Sequence, residues 1–175
     1  ILPDLDHNIR CGNSLIETDI FEQDQIVEIS EDETFRINAF DWRANFPQVF
    51  EQGGFDCVIG NPPYIFTREL ITEFERNYYS RRYLLSWEKH NTYLLFIEKM
   101  LSLLSKGGIG GYIVPNSWLT IESAKLLREV ITKKLEMVID FNYVVFRGVG
   151  MEPTVFTLSP GKTAAAVSCA RVTQQ

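Results

Sequence analysis

The sequence predicts an α/β protein whose sheet is mostly parallel and closes with a C-terminal antiparallel hairpin. Three observations lead there. Short apolar runs at Phe55–Gly60, "GIGGYIVP" (108–115) and "EMVIDF" (136–141) alternate with segments of helical period, the pattern of a doubly wound sheet. The first run is almost continuously apolar, which suits a parallel strand covered on both faces. The last is followed by the turn-rich "RGVGMEP" and the strand-like "TVFTLS", so this pair reads as a hairpin forming an antiparallel edge.

Taken in order, residues 1–16 open with the turn-like "LPDLDHN". A short strand candidate, Ile9–Cys11, follows, and then Gly12, Asn13 and Ser14. Glu17–Glu33 is acidic and lacks a clean period, so it reads as loop with weak helix. Phe35–Phe40 alternates loosely, as a strand does. "DWRANFPQVFEQGG" (41–54) holds a short helix, interrupted or started near Pro47 and closed by Gly53 and Gly54. Residues 65–90 mix aromatics with both signs of charge and are long for a plain connection. Asn91 reads as an N-cap. Tyr93, Leu94, Ile97, Met100, Leu101 and Leu104 then recur at helical spacing, with Lys106, Gly107 and Gly108 expected to end the helix. Residues 120–134 form a second amphipathic helix carrying Ala124, Leu127 and Ile131, with Leu135 near its end. "AAVSCARV" (165–172) adds one more strand.

The chain has 175 residues, 45% of them hydrophobic, enough for one domain with a real core. With 13% aromatic residues, disorder is excluded. A formal net charge of −6 argues against a stand-alone nucleic-acid binder, although a local patch can still steer DNA. Cys11, Cys57 and Cys169 lie in or beside apolar stretches and lack metal or disulfide spacing, so reduced core residues are expected and no metal site. No apolar run approaches the roughly 18 residues of a membrane span, and no basic, apolar leader precedes Ile1. A cytoplasmic protein is expected, and the start at Ile1 suggests a processed chain or a piece of something larger.

The stretch with chemistry in it is "FDCVIGNPPYIF", Phe55–Phe66. Pro62 and Pro63 donate no backbone hydrogen bond, so the ladder stops there. Each proline also biases the residue before it, Asn61 and Pro62, toward extended geometry. Asn61 brings a carbonyl acceptor, and the Pro62 carbonyl has no regular partner once the ladder ends. Two acceptors side by side suit both hydrogens of an exocyclic amine, and Tyr64 suits the ring that carries it. A planar base swung out of a helix needs that arrangement. Position agrees, since ligands of open α/β sheets sit outside the C-terminal strand ends. The competing reading is an ordinary turn at Asn61 and a core tyrosine at position 64.

"NPPY", Asn61–Tyr64, resembles the catalytic motif of amino-group DNA methyltransferases, especially those acting on adenine N6. The wider match is closer still. "NIRCGNSLI", "FDW…FPQVFEQGGFDCVIGNPPYI", "NTYLLFIEKMLSLLSKGGIGGYIVPNSWL" and "VVFRGVGMEPTVFTL" together resemble the fused type IIG restriction–modification enzymes, over most of residues 1–158. The four-letter motif alone is shared with methyltransferases of RNA and of protein glutamine. The resemblance implies a partial Rossmann-like fold that uses S-adenosylmethionine. Asn61 and the Pro62 carbonyl would bind the target amine and Tyr64 would stack on the flipped adenine of double-stranded DNA. The amine nitrogen would attack the sulfonium methyl directly. "VVFRGV" matches the family position of a second stacking aromatic, which makes Phe146 the candidate; otherwise Phe146 is a hairpin core residue. For the cofactor two positions compete, Asn13 in "CGNSL" and Asp41 in "AFDW", with Asn13 preferred; either also suits a cap or turn.

The family's glycine-rich loop after a first strand has no counterpart, nor has the acid that holds ribose. Gly107–Gly111 is no substitute, because it follows a helix and precedes a strand. The expectation is therefore a C-terminal portion of a catalytic domain, residues 1–175, with an insertion at 14–54 and a DNA-cleft connector at 65–90. The remaining domains of the same polypeptide would include target recognition and, where cleavage accompanies methylation, a nuclease needing Mg2+. Within 65–90, Arg76, Arg81, Arg82 and Lys89 are candidates for DNA phosphates, interleaved with Tyr78, Tyr79 and Tyr83. Glu73, Glu75 and Glu88 dilute that field, and a solvated connector with buried tyrosines is the plainer alternative. Trp42, Trp87 and Trp118 read as core or cleft-wall residues. A noncatalytic nucleic-acid-binding or assembly module on the same fold is the alternative function.

Overall fold

A computed structural model of the protein describes residues 8–22, 29–64, 71–85, 91–146, 150–163 and 166–173. The chain divides into two compact units, Ile1–Glu51 and Gln52–Gln175. Among the described residues no helix is long and apolar enough to cross a membrane.

The first unit buries Leu15, Ile16, Ile20, Ile37 and Phe40. Its expected strands are absent. Around Ile9–Cys11 there is only an isolated bridge from Asn13 to Ala39. Phe35–Phe40 is mostly helix α1 (Glu31–Ile37). Ser30 explains this, because its side chain accepts from the Glu33 amide while Glu31, Asp32 and Glu33 stand at the positive end of the helix dipole. Residues 41–54 behave as expected. Helix α2 (Trp42–Asn45) is capped by Asp41, and Pro47 starts α3 (Pro47–Glu51). Gly53 and Gly54 then turn the chain at φ of 97° and 122°.

The second unit is a five-stranded sheet in the order β1-β2-β4-β3-β5. The strands are β1 (Phe55–Gly60), β2 (Leu104–Pro115), β3 (Leu135–Phe141), β4 (Pro153–Leu158) and β5 (Ser168–Val172). Strand β1 pairs β2 in parallel and β3 pairs β5 in parallel, while β4 is antiparallel to both β2 and β3. Four strands thus run one way and one runs against them. The hairpin is β3–β4, but its antiparallel strand lies inside the sheet rather than at its edge.

Helix α5 (Thr92–Leu103) and the shorter α6 (Lys125–Ile131) share one core with that sheet. Leu94, Ile97 and Met100 of α5 and Leu127 and Ile131 of α6 are wholly buried, together with Val114, Phe156 and Leu158. The helix at 120–134 is shortened because residues 116–124 form two 3-10 turns instead. Lys106–Gly108 does not end α5 either. Leu104 already turns extended and pairs with Phe55, so β2 starts at once.

Two burial expectations fail together. Strand β1 is exposed at four of its six positions, with Ile59 81% exposed. It is an edge strand, and within this unit the helical core covers only the Val58 side of it. Cys11, Cys57 and Cys169 are free thiols, as expected, but all three are exposed and not core. Cys57 lies on the same uncovered face as Ile59, and Cys169 lies in the outer strand β5.

Candidate functional site

Asn61–Tyr64 leave the C-terminal end of β1 beside the end of β2. Gly60 allows the approach, because a Cβ there would lie 2.9 Å from the Tyr112 ring. The Pro62 ring is buried, Asn61 is exposed and Tyr64 is half-buried. The Tyr64 hydroxyl lies 2.8 Å from Asn61 Oδ1 and 3.2 Å from the Ile113 carbonyl, so its single proton is shared between two acceptors. Burial raises the Tyr64 phenol above its ordinary value of 10, so it stays a donor at neutral pH. Asn61 Oδ1 keeps a second lone pair, and among the described residues no hydrogen bond reaches the Pro62 carbonyl.

The start of α5 supports this loop; the sequence reads Asn91 as a cap and Tyr93 as part of the apolar period and gives Thr92 no role. Thr92 Oγ1 donates to the Pro63 carbonyl at 2.6 Å. The Tyr93 ring meets Tyr64 edge-on, with centroids 6.4 Å apart. The Tyr93 hydroxyl lies 2.9 Å from Ser117 Oγ and also engages Asn91, whose amide makes no cap bond to the helix. Burial pushes the Tyr93 phenol up, partly offset by these two bonds.

Phe146 stands beyond β3 and is 37% exposed, so it is not a hairpin core residue. Strands β1 and β3 run the same way, so the chain leaves β3 for Phe146 at the sheet edge where Asn61 leaves β1. Three steps of sheet order separate those strands, about 14 Å at ordinary spacing. The segment from Phe141 to Phe146 reaches roughly 16 Å when extended.

The same edge carries a polar row that the sequence did not announce. Asn116 Nδ2 lies 3.2 Å from Glu152 and 3.5 Å from Asp140, and Arg171 pairs with Asp140 at 3.1 Å. Thr154, opposite Asp140 in the ladder, is fully buried, with an Oγ1 that has no partner among the described residues.

In the first unit, Asn13 and Asp41 both have local roles. Asn13 Oδ1 accepts from the Leu15 amide at 3.1 Å, and one Asp41 oxygen accepts from Arg43 and Ala44, each at 2.9 Å. Among the described residues no hydrogen bond reaches the Asn13 amide nitrogen or the second Asp41 oxygen. Among the described residues no cluster of His, Cys, Asp and Glu could hold a metal.

Arg76, Arg81 and Arg82 lie exposed on α4 (Glu73–Arg82), which opens with a reciprocal Thr72–Glu75 capping box. Tyr78, Tyr79 and Tyr83 are buried in a chain of ring contacts at 6.2 and 6.0 Å, so they are core and not stacking platforms. The Glu98 carboxylate of α5 accepts from the Leu84 and Leu85 amides at 2.8 and 3.0 Å and ties down the end of this segment. Lys89, Trp87, Glu88, His7, His90, Arg147 and Gly148 lie outside the described residues. Trp118 is core, packed 5.5 Å from Phe156, and Trp42 stacks on Phe46.

The model of the Eco57I restriction-modification methylase family matches residues 3–146. The chain belongs to that family. As a member of the Eco57I methylase family it is 34% identical, over 84% of its length, to the type II restriction enzyme and methyltransferase RM.Eco57I of Escherichia coli, of which it spans 14%. Two solved structures share the fold of this Eco57I-family chain. One is described as a class I S-adenosylmethionine-dependent methyltransferase of Listeria monocytogenes, with a TM-score of 0.54 and 17% identity over 68% of this chain and 37% of that one. The other is the type IIG restriction endonuclease BpuSI, also at 0.54, with 20% identity over 68% of this chain and 15% of that one.

Proposed function

We propose that this chain carries the target-amine portion of an adenine-N6 DNA methyltransferase of a restriction–modification system, working within a longer polypeptide. The observation that carries the reading is Asn61 at the C-terminal end of β1, exposed and with its Oδ1 2.8 Å from the Tyr64 hydroxyl, next to the Pro62 carbonyl. The exocyclic amine of adenine is conjugated with its ring and is a poor nucleophile. Donating one N–H to each acceptor orients its nitrogen. As that nitrogen gains positive charge in the transition state, both acceptors bind it more strongly than in the ground state. Fixed placement adds the proximity contribution. Tyr64 offers a π-face to the extruded base, and Phe146, on the same sheet edge, is the second ring. S-adenosylmethionine, when bound, supplies an electrophilic methyl group on a sulfonium centre. For the adenine of that cofactor the two candidates still compete, Asn13 through its amide, which is preferred, or Asp41 through its carboxylate. No strong base is needed, because the proton is released to solvent after nitrogen has become cationic.

Arg76, Arg81 and Arg82 would meet phosphates flanking the extruded base, with Lys89 continuing the same connector. The test is methyl transfer to duplex DNA, followed by nucleoside analysis. The expected product is N6-methyladenine. Asn61→Ala should lose rate equivalent to about 2–4 kcal/mol, as for loss of another transition-state hydrogen bond, while keeping its melting temperature. Methylated cytosine, RNA or protein glutamine as the sole product, or wild-type turnover in Asn61→Ala, contradicts the reading.

A further inference from the structure

We propose that Thr92 is a positioning residue for methyl transfer: its hydroxyl fixes the one backbone torsion of the Pro62–Pro63 pair that the sequence leaves loose. The inference rests on the function proposed for Asn61–Tyr64. Proline rings fix φ at Pro62 and at Pro63. A following proline restricts ψ at Asn61 and at Pro62. Pro63 is followed by Tyr64, so its ψ has no such restriction. Rotation about that bond swings the Pro63 carbonyl oxygen one way and the Tyr64 amide, with the ring behind it, the other. Thr92 Oγ1 holds that oxygen at 2.6 Å.

The donor is rigidly mounted. Thr92 is 6% exposed and is the first residue of α5, whose Leu94, Leu95 and Ile97 are wholly buried. The next residue, Tyr93, is 3% exposed and meets the Tyr64 ring edge-on, while Ser117 holds the Tyr93 hydroxyl. Position and direction of the stacking ring are thus set from one helix start, Thr92 through the backbone and Tyr93 through the side chain. Thr92 touches no reacting atom. It acts by keeping Tyr64, and with it the Tyr64–Asn61 hydrogen bond of 2.8 Å, in a single arrangement.

The experiment places fluorotyrosine at position 64 of the full-length methyltransferase and reads its fluorine NMR resonance beside steady-state kinetics. Thr92→Ser, which keeps the hydroxyl, should give one sharp resonance and near wild-type kcat. Thr92→Val, isosteric but without the donor, should broaden or split the resonance. It should also lower kcat by up to about 10²-fold, the scale of a displacement near 1 Å, with KM for DNA little changed. If Thr92→Val does not fold, Thr92→Ala is read the same way. A resonance unchanged in the variant lacking the hydroxyl overturns the proposal whatever the rates. A disordered resonance with wild-type kcat overturns the link to catalysis. An active Asn61→Ala enzyme instead counts against the proposed function, and the resonance still decides the role of Thr92.

Discussion

At the scale of single residues, Tyr64 carries more than its ring. A stacking role alone needs only the π-face, which Phe would also supply. The structure adds two acceptors for the hydroxyl, Asn61 Oδ1 and the Ile113 carbonyl. Tyr64→Phe should therefore keep base extrusion but release the Asn61 amide, with kcat down about tenfold for one lost hydrogen bond of roughly 1.4 kcal/mol. Tyr64→Ala should lose extrusion as well, since a base–aromatic stack is worth roughly 1–3 kcal/mol. The readout is the fluorescence of 2-aminopurine at the target position. Phe146→Ala should lower the same signal, and an unchanged signal would assign the second face to another residue. The placement of Asn61–Tyr64 just past a strand end was legible because two successive prolines after an apolar run stop the ladder. Thr92 was not, because a threonine at a helix start looks the same in sequence whether it caps the helix or reaches 29 residues back to Pro63.

At the scale of elements, α5 is the organiser: its start holds the Asn61–Tyr64 loop and its middle holds the end of the α4 segment. Glu98 makes the second attachment, and its carboxyl is raised above 4.5 by burial, partly offset by the Leu84 and Leu85 amides. A carboxyl whose folded value is raised favours the folded state in its protonated form. Its stabilising contribution is full below the unfolded value and is lost as pH rises through the folded one. Relative to Glu98→Gln, the wild type should gain stability as pH falls from neutral into the range just above 4.5. Melting temperatures across that range check this, and a constant difference would contradict it. Exposed Arg81 on α4 belongs to the same element pair. If it meets a DNA phosphate, Arg81→Gln should reduce the slope of log K against log salt by about 0.9. The α5 period was read correctly from the sequence because five apolar residues, Tyr93, Leu94, Ile97, Met100 and Leu101, repeat on one face, while the sixth, Leu104, already belongs to β2. The Phe35–Phe40 strand was misread because loose alternation over a few residues is also compatible with a short helix, and the Ser30 cap decided between them.

At the scale of the whole molecule, the sequence showed α/β alternation and the hairpin but not where β4 enters. Strand order is set by contacts distant in sequence, such as Tyr112 with Phe156 and Val138 with Phe156, and no local pattern encodes them. The misjudged burial of β1 has the same origin, since an apolar run does not reveal whether its strand is an edge. That exposure is measurable: in the native chain Cys11, Cys57 and Cys169 should all react with an aromatic disulfide reagent without denaturant. A thiol that reacts only on unfolding would contradict it. The central claim is that Asn61 accepts a hydrogen bond from the target amine. A thermodynamic cycle tests it most directly, with full-length wild-type and Asn61→Ala enzymes titrated against duplexes carrying adenine or unsubstituted purine at the target position. Loss of the amine should weaken wild-type binding by roughly tenfold, about one hydrogen bond, and leave Asn61→Ala binding nearly unchanged. Equal losses in both proteins would show that the amine does not meet Asn61.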